Sequence, residues 1–447
     1  MYRFSLIISV LFCIVVHAYA ASKYDLADSY LRNGDYEMAV EEYQKILESE
    51  GPAALSNDVR AMVGKIIGLH QLKNYTQSFA ICKRVLKLDK FNSTAIFYAG
   101  RNLESLQNDE LALKLYQYYE QIKPSDPYRF YIRARYTYLQ EKAIQTRVNN
   151  AIQVEGTLTN QKLPDNAVAV LYPVNVGMDA SWDVLSKGLT QLIITDMDNI
   201  RALSVTSRIE LQLLIEKLKF NPIELRNENI IPRFGRLLNA KYIVNGTFEV
   251  QNNNHINLQL GILNLSQPDM IQTVEFKGDL KDIFSLEKQI AQHVWEHMGI
   301  TPRSSELNKI QNYQTKNFDA FMSYCRGLDL LDYGNPDGAY SSFTLASRQD
   351  GHFMLAVDMK ETIDAMITMQ TTDLALKHFD IIKRSGRSAF AGGQLSLKRT
   401  RLNSVLYNLD LGYLPGNESR KGPVGFDPID VITIERKLPE PPTPPSN

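Results

Sequence analysis

The sequence predicts a multidomain α+β protein in which a mixed-sheet α/β module lies between two sets of helical repeats. The first set is a pattern that recurs over residues 22–124 at a period near 34, which rarely arises by chance. The middle of the chain shows helix, strand and helix followed by consecutive strands, and residues 318–350 return to the first pattern. Because 447 residues exceed the size of one core, several domains are expected.

Composition and motif searches narrow the function classes. The chain is 44% apolar and 22% charged, which is ordinary for a globular protein. Its formal net charge of −1 removes the electrostatic argument for nucleic-acid binding. The sequence contains no G-x-G-x-x-G, G-x-x-x-x-G-K-[ST] or G-x-S-x-G motif. We therefore predict no cofactor.

The N-terminus, residues 1–20, has the three parts of a secretory signal peptide. A short basic start precedes the apolar run Phe4 to Val16, and Ala18-Tyr19-Ala20 forms an A-x-A cleavage site. The run is too short to span a membrane, although an uncleaved anchor is the alternative interpretation. No later stretch approaches the length of a membrane span. The sequence therefore predicts cleavage after Ala20 and a periplasmic or exported mature chain.

Residues 21–155 are interpreted as helical repeats. Small and large residues occupy the same offsets in three units. These residues are Ala27, Tyr30, Ala39 and Tyr43 in the first unit, Leu69, Ser78, Cys82 and Val85 in the second, and Gly100, Leu103, Ala112, Tyr116 and Tyr119 in the third. The pattern resembles the tetratricopeptide repeat, whose stacked helix pairs hold a peptide or another protein. The alternative is that the stack only braces its neighbour. A long helix over 127–154 is expected to follow.

Residues 165–301 are interpreted as the α/β module. Ala167 to Tyr172 is a continuous apolar run, typical of a fully buried strand. Spacings of three and four predict helices, and strict alternation predicts strands. The further elements are a helix 182–197, a short strand 202–206, a helix 209–218 capped by Ser207, a helix 231–239, strands 241–250, 256–262 and 270–276, and a helix 285–298. This order predicts a mixed sheet with helices packed against it.

Four stretches of this module resemble one bacterial envelope domain. They read WDVLSKGLTQLIITDM, LSVTSRIELQLLIEKL, FGRLLNAKYIVNGTFEV and FSLEKQIAQHVWEHMGI. They are similar to the domain shared by the curli-export channel subunit CsgG and the N-terminal domain of TolB. The resemblance covers about 135 residues. It implies a periplasmic or outer-membrane-associated assembly role, often through oligomer formation, and no catalytic residues.

Two departures favour a scaffold over an export channel. The curli channel subunit is a lipoprotein, whereas Cys13 here follows Phe12 rather than the small residue of a lipidation site. The channel also needs long membrane-spanning hairpins. The strands predicted here are short, and all are needed for the sheet of the module itself. An assembly role with peripheral outer-membrane association is compatible with both departures.

Two further segments and two cysteines complete the chain. Residues 315–388 are predicted to form tetratricopeptide-like helical repeats. Residues 415–447 are rich in proline and are predicted to be extended or disordered, either as a partner-binding tail or as a solvated end. Cys82 and Cys325, the cysteines that remain after cleavage, lie in separate domains. We expect both to be buried free thiols.

One catalytic motif stands in the last helix of the module. His293, Glu296 and His297 match H-x-x-E-H, and histidines four apart on a helix share a face that can bind zinc. Both histidines, however, border the apolar arc of the helix, and no motif places a further glutamate ligand downstream. A helix surface without metal is the preferred interpretation. Arg208, at the start of a capped helix, is predicted to lie on the helix surface, with carboxylate binding as the alternative.

The sequence as a whole favours a non-enzymatic periplasmic scaffold or adaptor. Its repeats would bind protein partners in the cell envelope, and its α/β module would assemble there, including with copies of itself. No catalytic, cofactor-binding or metal residues are predicted, and neither nucleic acid nor a transmembrane segment is expected. The first alternative is an outer-membrane secretion or export component related to the curli-export channel. The weaker alternative is a zinc hydrolase that uses His293 and His297.

Overall fold

The part of the chain that the structure describes forms helical hairpins and one mixed sheet. The computed structural model describes residues 23–49, 57–158, 161–227, 230–251, 254–267 and 271–369. The predicted signal peptide (1–20), the repeat residues 370–388 and the predicted tail (415–447) lie outside the described residues. The chain divides into two compact units, and among the described residues 23–136 belong to the first and 137–367 to the second. Among the helices that are described, none has the length and apolar character needed to cross a membrane.

The first unit is built from consecutive antiparallel helices. They are α1 (Asp25–Asn33), α2 (Tyr36–Ser49), α3 (Val59–Gln71), α4 (Tyr75–Leu88), α5 (Ser93–Ser105), α6 (Asp109–Tyr116) and the start of α7 (Pro127–Gln153). A 3₁₀ turn, Gln117–Gln121, extends α6. Side chains cap several starts: Asp58 accepts a hydrogen bond from the Ala61 N–H, and Asn92 accepts one from the Ala95 N–H. These helices pair as α1–α2, α3–α4 and α5–α6.

The turns of these hairpins share one backbone geometry. The residue before each second helix's cap is left-handed: Gly34, Lys73 and Gln107 have φ of 87°, 61° and 60°. The next N–H then donates to a carbonyl five residues back, as from Asn74 to Leu69 at 2.9 Å and from Asn108 to Leu103 at 2.8 Å. This is the bond of a Schellman-type helix end, which satisfies a carbonyl that the helix leaves free. The same turn recurs in the second unit.

Glycines on one helix make room for rings on the next. A Cβ at Gly100 would lie 2.1 Å from the ring of Tyr116, and one at Gly64 would lie 2.1 Å from the ring of Tyr43. Each ring therefore packs directly onto a helix backbone, which brings the helix axes close together. Such small–large complementarity explains the recurring offsets of the sequence, because a larger residue in place of the glycine would overpack the crossing.

The second unit is organised around one mixed sheet. Its strands are β1 (Ala167–Val170), β2 (Val174–Asn175), β3 (Ser204–Val205), β4 (Tyr242–Val250), β5 (His255–Asn264) and β6 (Ile271–Asp279). The strand order is β3-β1-β4-β5-β6, and β2 also pairs with β4. β1 is parallel to β3 and β4, whereas β4–β5 and β5–β6 are antiparallel. The predicted α+β class with a mixed sheet is confirmed.

Helices of the second unit cover both faces of the parallel half. They are α8 (Glu155–Leu158), α9 (Leu185–Asp198), α10 (Arg208–Leu218), α11 (Ile231–Leu237), α12 (Ile283–His297), α13 (Ser304–Ile310), α14 (Phe318–Asp332), α15 (Pro336–Gln349) and α16 (Met354–Met369). α9 begins three residues after the predicted start at Trp182. The reason is a separate 3₁₀ turn, Ala180–Trp182, in which the side chain of Asp179 accepts the Ser181 N–H.

Two apolar cores follow from the alternation of the strands. Val168 and Val170 of β1 point into the core formed with α9, α12 and α14, whereas Ala169 points into the core formed with α10 and α11. The end of α7 contributes Ile144 and Val148 to that second core. α14 and α15 form a hairpin with the shared turn, since Gly334 is left-handed and the Asn335 N–H donates to the Leu330 carbonyl at 2.8 Å.

The α14–α15 hairpin therefore shares a core with the sheet rather than standing apart from it. α9 packs against α12 on one side and against α14 on the other. At the α9–α14 crossing, Gly188 faces Cys325, and a Cβ at Gly188 would lie 2.2 Å from the cysteine Sγ. Cys82 and Cys325 are both buried and free, which confirms the prediction for these thiols.

Candidate functional site

The first unit exposes a pair of aromatic side chains, Phe91 and Tyr118, called here the aromatic patch. Phe91 lies in the turn between α4 and α5, and Tyr118 lies in the 3₁₀ turn after α6. Their ring centres are 6.3 Å apart, and both side chains are exposed. The Nζ of Lys90 lies 5.3 Å from the centre of the Phe91 ring. Aromatic residues are enriched at protein interfaces relative to the rest of the surface, and a cation over an aromatic ring is attracted to it.

The second unit contains a buried ion network, centred on Arg208. Arg208 is the first residue of α10 and is only 4% exposed. Its Nη1 lies 3.0 and 2.7 Å from the two carboxylate oxygens of Asp332, the last residue of α14, and 3.2 Å from the hydroxyl oxygen of Tyr172. Lys187 of α9 adds contacts of 3.1 Å to Asp332 and 2.8 Å to Asp329. The prediction that Arg208 lies on the helix surface is therefore wrong.

The network determines which of its members are charged. Burial lowers the pKa of Lys187, but Asp332 and Asp329 more than compensate and hold that pKa above its ordinary value. Burial also raises the pKa of Glu216, and the nearby charge of Asp332 adds to this effect. The two cations are thus kept charged by Asp332 and Asp329. The charges of the network satisfy one another inside the unit.

A second charged cluster lies between α9 and α12. Asp196 of α9 and Glu287 of α12 are both buried, and Lys288 binds the Asp196 carboxylate while its Nζ lies 3.4 Å from a Glu287 oxygen. Burial raises the pKa of Asp196, which Lys288 partly offsets. Burial, followed by the charge of Asp196, raises the pKa of Glu287 well above its ordinary value. The raised pKa of Glu287 favours its protonated form, which leaves the charged pair to Asp196 and Lys288.

The two histidines of the H-x-x-E-H motif face the sheet. The ring of His293 lies 6.4 Å from that of Phe276, and the ring of His297 lies 6.2 Å from that of Tyr242. His297 Nδ1 forms a hydrogen bond with the side-chain oxygen of Gln272. Burial and then His293 lower the pKa of His297, which favours neutral imidazole. The histidines thus share a face, as their spacing predicts.

The remaining residue of the motif, Glu296, does not join the two histidines. Glu296 is exposed and accepts a hydrogen bond of 2.7 Å from Gln292 on its own helix. In the part of the chain that the structure describes, no group of three histidine, cysteine, aspartate or glutamate side chains is arranged to hold a metal ion. His293 and His297 therefore contact an amide and two aromatic rings here, and no described carboxylate or thiol completes a metal-binding set with them.

Sequence reasoning missed the aromatic patch and the partners of Arg208. Phe91 and Tyr118 stand outside the offsets that the repeat buries, so a search for large aromatic residues off those offsets finds them. Asp332 has no such signal, because it lies 124 residues from Arg208 and occupies an ordinary helix end. Asp196 and Glu287 likewise meet only when α9 packs on α12.

Comparison with known proteins adds no identification. No protein-family model matches the chain, and no curated protein matches it.

Proposed function

We propose that this protein is a non-enzymatic scaffold of the bacterial envelope, exported by a cleaved signal peptide. Its tetratricopeptide-like repeats bind a partner protein at the aromatic patch, and its CsgG/TolB-like α/β module supports assembly. The observation that carries the proposal is the aromatic patch on a run of three hairpins that share one turn geometry. Stacked helical hairpins of this kind usually present surfaces that hold peptides or proteins.

The charged clusters of the second unit support a structural role for the α/β module. Perturbed pKa values mark active sites when the groups face a cleft, but structural ion networks perturb them as well. The side chains of Arg208, Asp332, Asp196 and Glu287 are each at most 6% exposed, and each has a partner in its own cluster. Their contacts join helices to one another. This arrangement favours a module that functions through its surfaces.

The test of partner binding uses a photo-crosslinking amino acid in cells. It replaces Phe91 or Tyr118, and the matched control position is Lys45 of α2, which is exposed and belongs to a surface ion pair with Glu41. The expected result is a discrete crosslinked species at the two patch positions and none at Lys45. The same partner identified by mass spectrometry at both patch positions supports the proposal. Crosslinks at none of the patch positions, or equally at Lys45, contradict it.

Metal analysis tests the hydrolase alternative separately. We expect no stoichiometric zinc in the purified mature chain. One zinc per chain that is lost in both His293→Ala and His297→Ala would overturn the non-enzymatic assignment, whatever the crosslinking shows.

A further inference from the structure

The sheet of the second unit ends in an open edge at β6. Among the described strands, β6 has one neighbour, β5, with which it pairs over nine residues. The opposite edge strand, β3, has only two residues. Along β6, Ile271, Thr273, Glu275 and Lys277 are exposed. A long exposed edge is a template for pairing with another strand.

One hydrogen bond determines which groups of β6 face outward. The Leu280 N–H donates to the Asn254 carbonyl at 2.8 Å, so these two residues form a hydrogen-bonded pair at the end of the β5–β6 ladder. Such pairs alternate along antiparallel strands. The even-numbered residues of β6 therefore bond to β5. The odd-numbered residues from 271 to 279 direct their N–H and C=O groups to the open edge.

The outward-facing residues are self-complementary. When a second β6 lies antiparallel with the centre at Phe276, Glu275 of each copy stands opposite Lys277 of the other, and Thr273 stands opposite Asp279. Residues that face outward thereby pair with each other, as a hydrogen-bonded ladder requires. Within one strand, Lys277 Nζ already lies 2.9 Å from a Glu275 oxygen, so both side chains occupy the same face. Opposite charges across strands stabilise a pairing, and like charges destabilise it.

Neighbouring registers lack this match. A centre at Glu275 places the two Glu275 side chains opposite each other. A centre at Lys277 places the two Lys277 side chains opposite each other and also puts Glu275 against Asp279. A shift by one residue pairs outward-facing groups with groups already bonded to β5. A centre at Gly278 also gives opposite charges, with Lys277 opposite Asp279, but it overlaps the two strands only over residues 277–279. Charge pattern and strand overlap together select the register centred at Phe276, which overlaps residues 273–279.

The face that carries Phe276 agrees with this register. Phe276 pairs with the buried Leu258 of β5 and packs beside His293 of α12. At the two-fold axis, Phe276 would meet Phe276 of the second copy in a pair without backbone hydrogen bonds, where side chains approach most closely. We propose that a second copy of this chain binds along β6, forming a dimer with one continuous sheet. This dimer gives the proposed assembly role a definite form. The biological meaning of the dimer rests on that proposed role.

Sedimentation velocity of the full mature chain over a range of micromolar concentrations tests the dimer. Wild-type protein is expected to show a monomer–dimer equilibrium. Glu275→Lys and Lys277→Glu each turn both cross-strand ion pairs into like-charge pairs, so self-association should weaken about tenfold. The double variant Glu275→Lys/Lys277→Glu restores opposite charges and should dimerise as wild type does. A mixture of the two single variants should form a heterodimer, because all its pairs are again opposite.

Thr273→Pro provides a variant without a charge change. The N–H that proline lacks faces the open edge, so the pairing of β6 with β5 is kept. The dimer should be abolished. An unchanged thermal unfolding transition would show that the variant is still folded. A wild-type monomer at all concentrations, or dimers insensitive to both single charge reversals, overturns the inference. These outcomes differ from failure of the proposed partner binding, since the crosslinking positions lie on the first unit and β6 lies on the second.

Discussion

At the scale of single residues, Arg208 and Asp332 each occupy an unfavourable helix end. Arg208 is a cation at the N-terminus of α10, and Asp332 is an anion at the C-terminus of α14. Both positions oppose the helix dipole. Their mutual contact, with Lys187 as a third member, compensates for this and for the loss of water. The network therefore ties the α14–α15 hairpin to the sheet by electrostatics as well as by apolar packing.

Removal of one partner should destabilise the second unit strongly. Arg208→Met leaves the buried carboxylate of Asp332 with Lys187 alone, and a broken buried pair costs about 3–5 kcal/mol. Urea denaturation is the measurement. The double variant Arg208→Met/Asp332→Leu should recover part of the lost free energy of unfolding. The control is Asp165→Asn, which removes an exposed ion pair with Lys241 and should leave the urea midpoint unchanged. Equal midpoints for Arg208→Met and wild type would contradict the account.

Glu287 should make stability depend on pH. Its pKa is raised in the folded state, so its contribution is fully present below the ordinary glutamate pKa and is lost as pH rises through the folded pKa. Glu287→Gln mimics the protonated form. As pH rises above the ordinary glutamate pKa, the urea midpoint of wild type should therefore fall relative to that of Glu287→Gln. Glu296→Gln, at an exposed glutamate, is the control. If the urea midpoints of wild type and Glu287→Gln depend on pH in the same way, the raised pKa of Glu287 is contradicted.

At the scale of elements, α9 is the helix on which the second unit depends. It packs on β1, α12 and α14, and it carries a residue of each charged cluster, Lys187 and Asp196. Its glycine, Gly188, permits the close approach to Cys325. A helix packed on several elements has little freedom to shift, because each displacement that relieves one contact compresses another.

Gly188→Ala tests the tightness of that crossing. The new Cβ would lie 2.2 Å from Cys325 Sγ and 3.0 Å from the Phe321 ring, and such overpacking costs about 1–3 kcal/mol. This exceeds the helix propensity gained from alanine, about 1 kcal/mol. Gly156→Ala, where nothing lies within 4 Å, should gain that propensity without a clash. Thermal unfolding of both variants distinguishes them, and stabilisation by Gly188→Ala would refute the close packing.

At the scale of the whole molecule, the predicted route is export followed by assembly. The signal-peptide prediction places the mature N-terminus at Ala21. The buried free thiols suit an oxidising compartment, because burial raises the pKa of Cys82 and Cys325 and withholds the reactive thiolate.

Processing can be checked directly. N-terminal sequencing of the chain from the periplasmic fraction of an expressing bacterium should begin at Ala21. Ala20→Leu removes the small residue that the peptidase requires, so the precursor should accumulate at the membrane. Wild-type chain that retains Met1 in the membrane fraction would instead support the uncleaved anchor.

The sequence alone determined the order and type of the elements in the α/β module, apart from the two-residue strand β2, which it did not predict. The strands β1 and β5 and the cap at Ser207 follow from local alternation, apolar runs and capping chemistry, which act over a few residues. Tertiary structure decided which charges meet, which hairpin joins the sheet and which strand is left open. The pairing of Arg208 with Asp332 depends on how distant helices pack, and no local pattern encodes that distance. The edge at β6 is open for the same reason, because a strand's neighbours are set by the topology of the whole sheet.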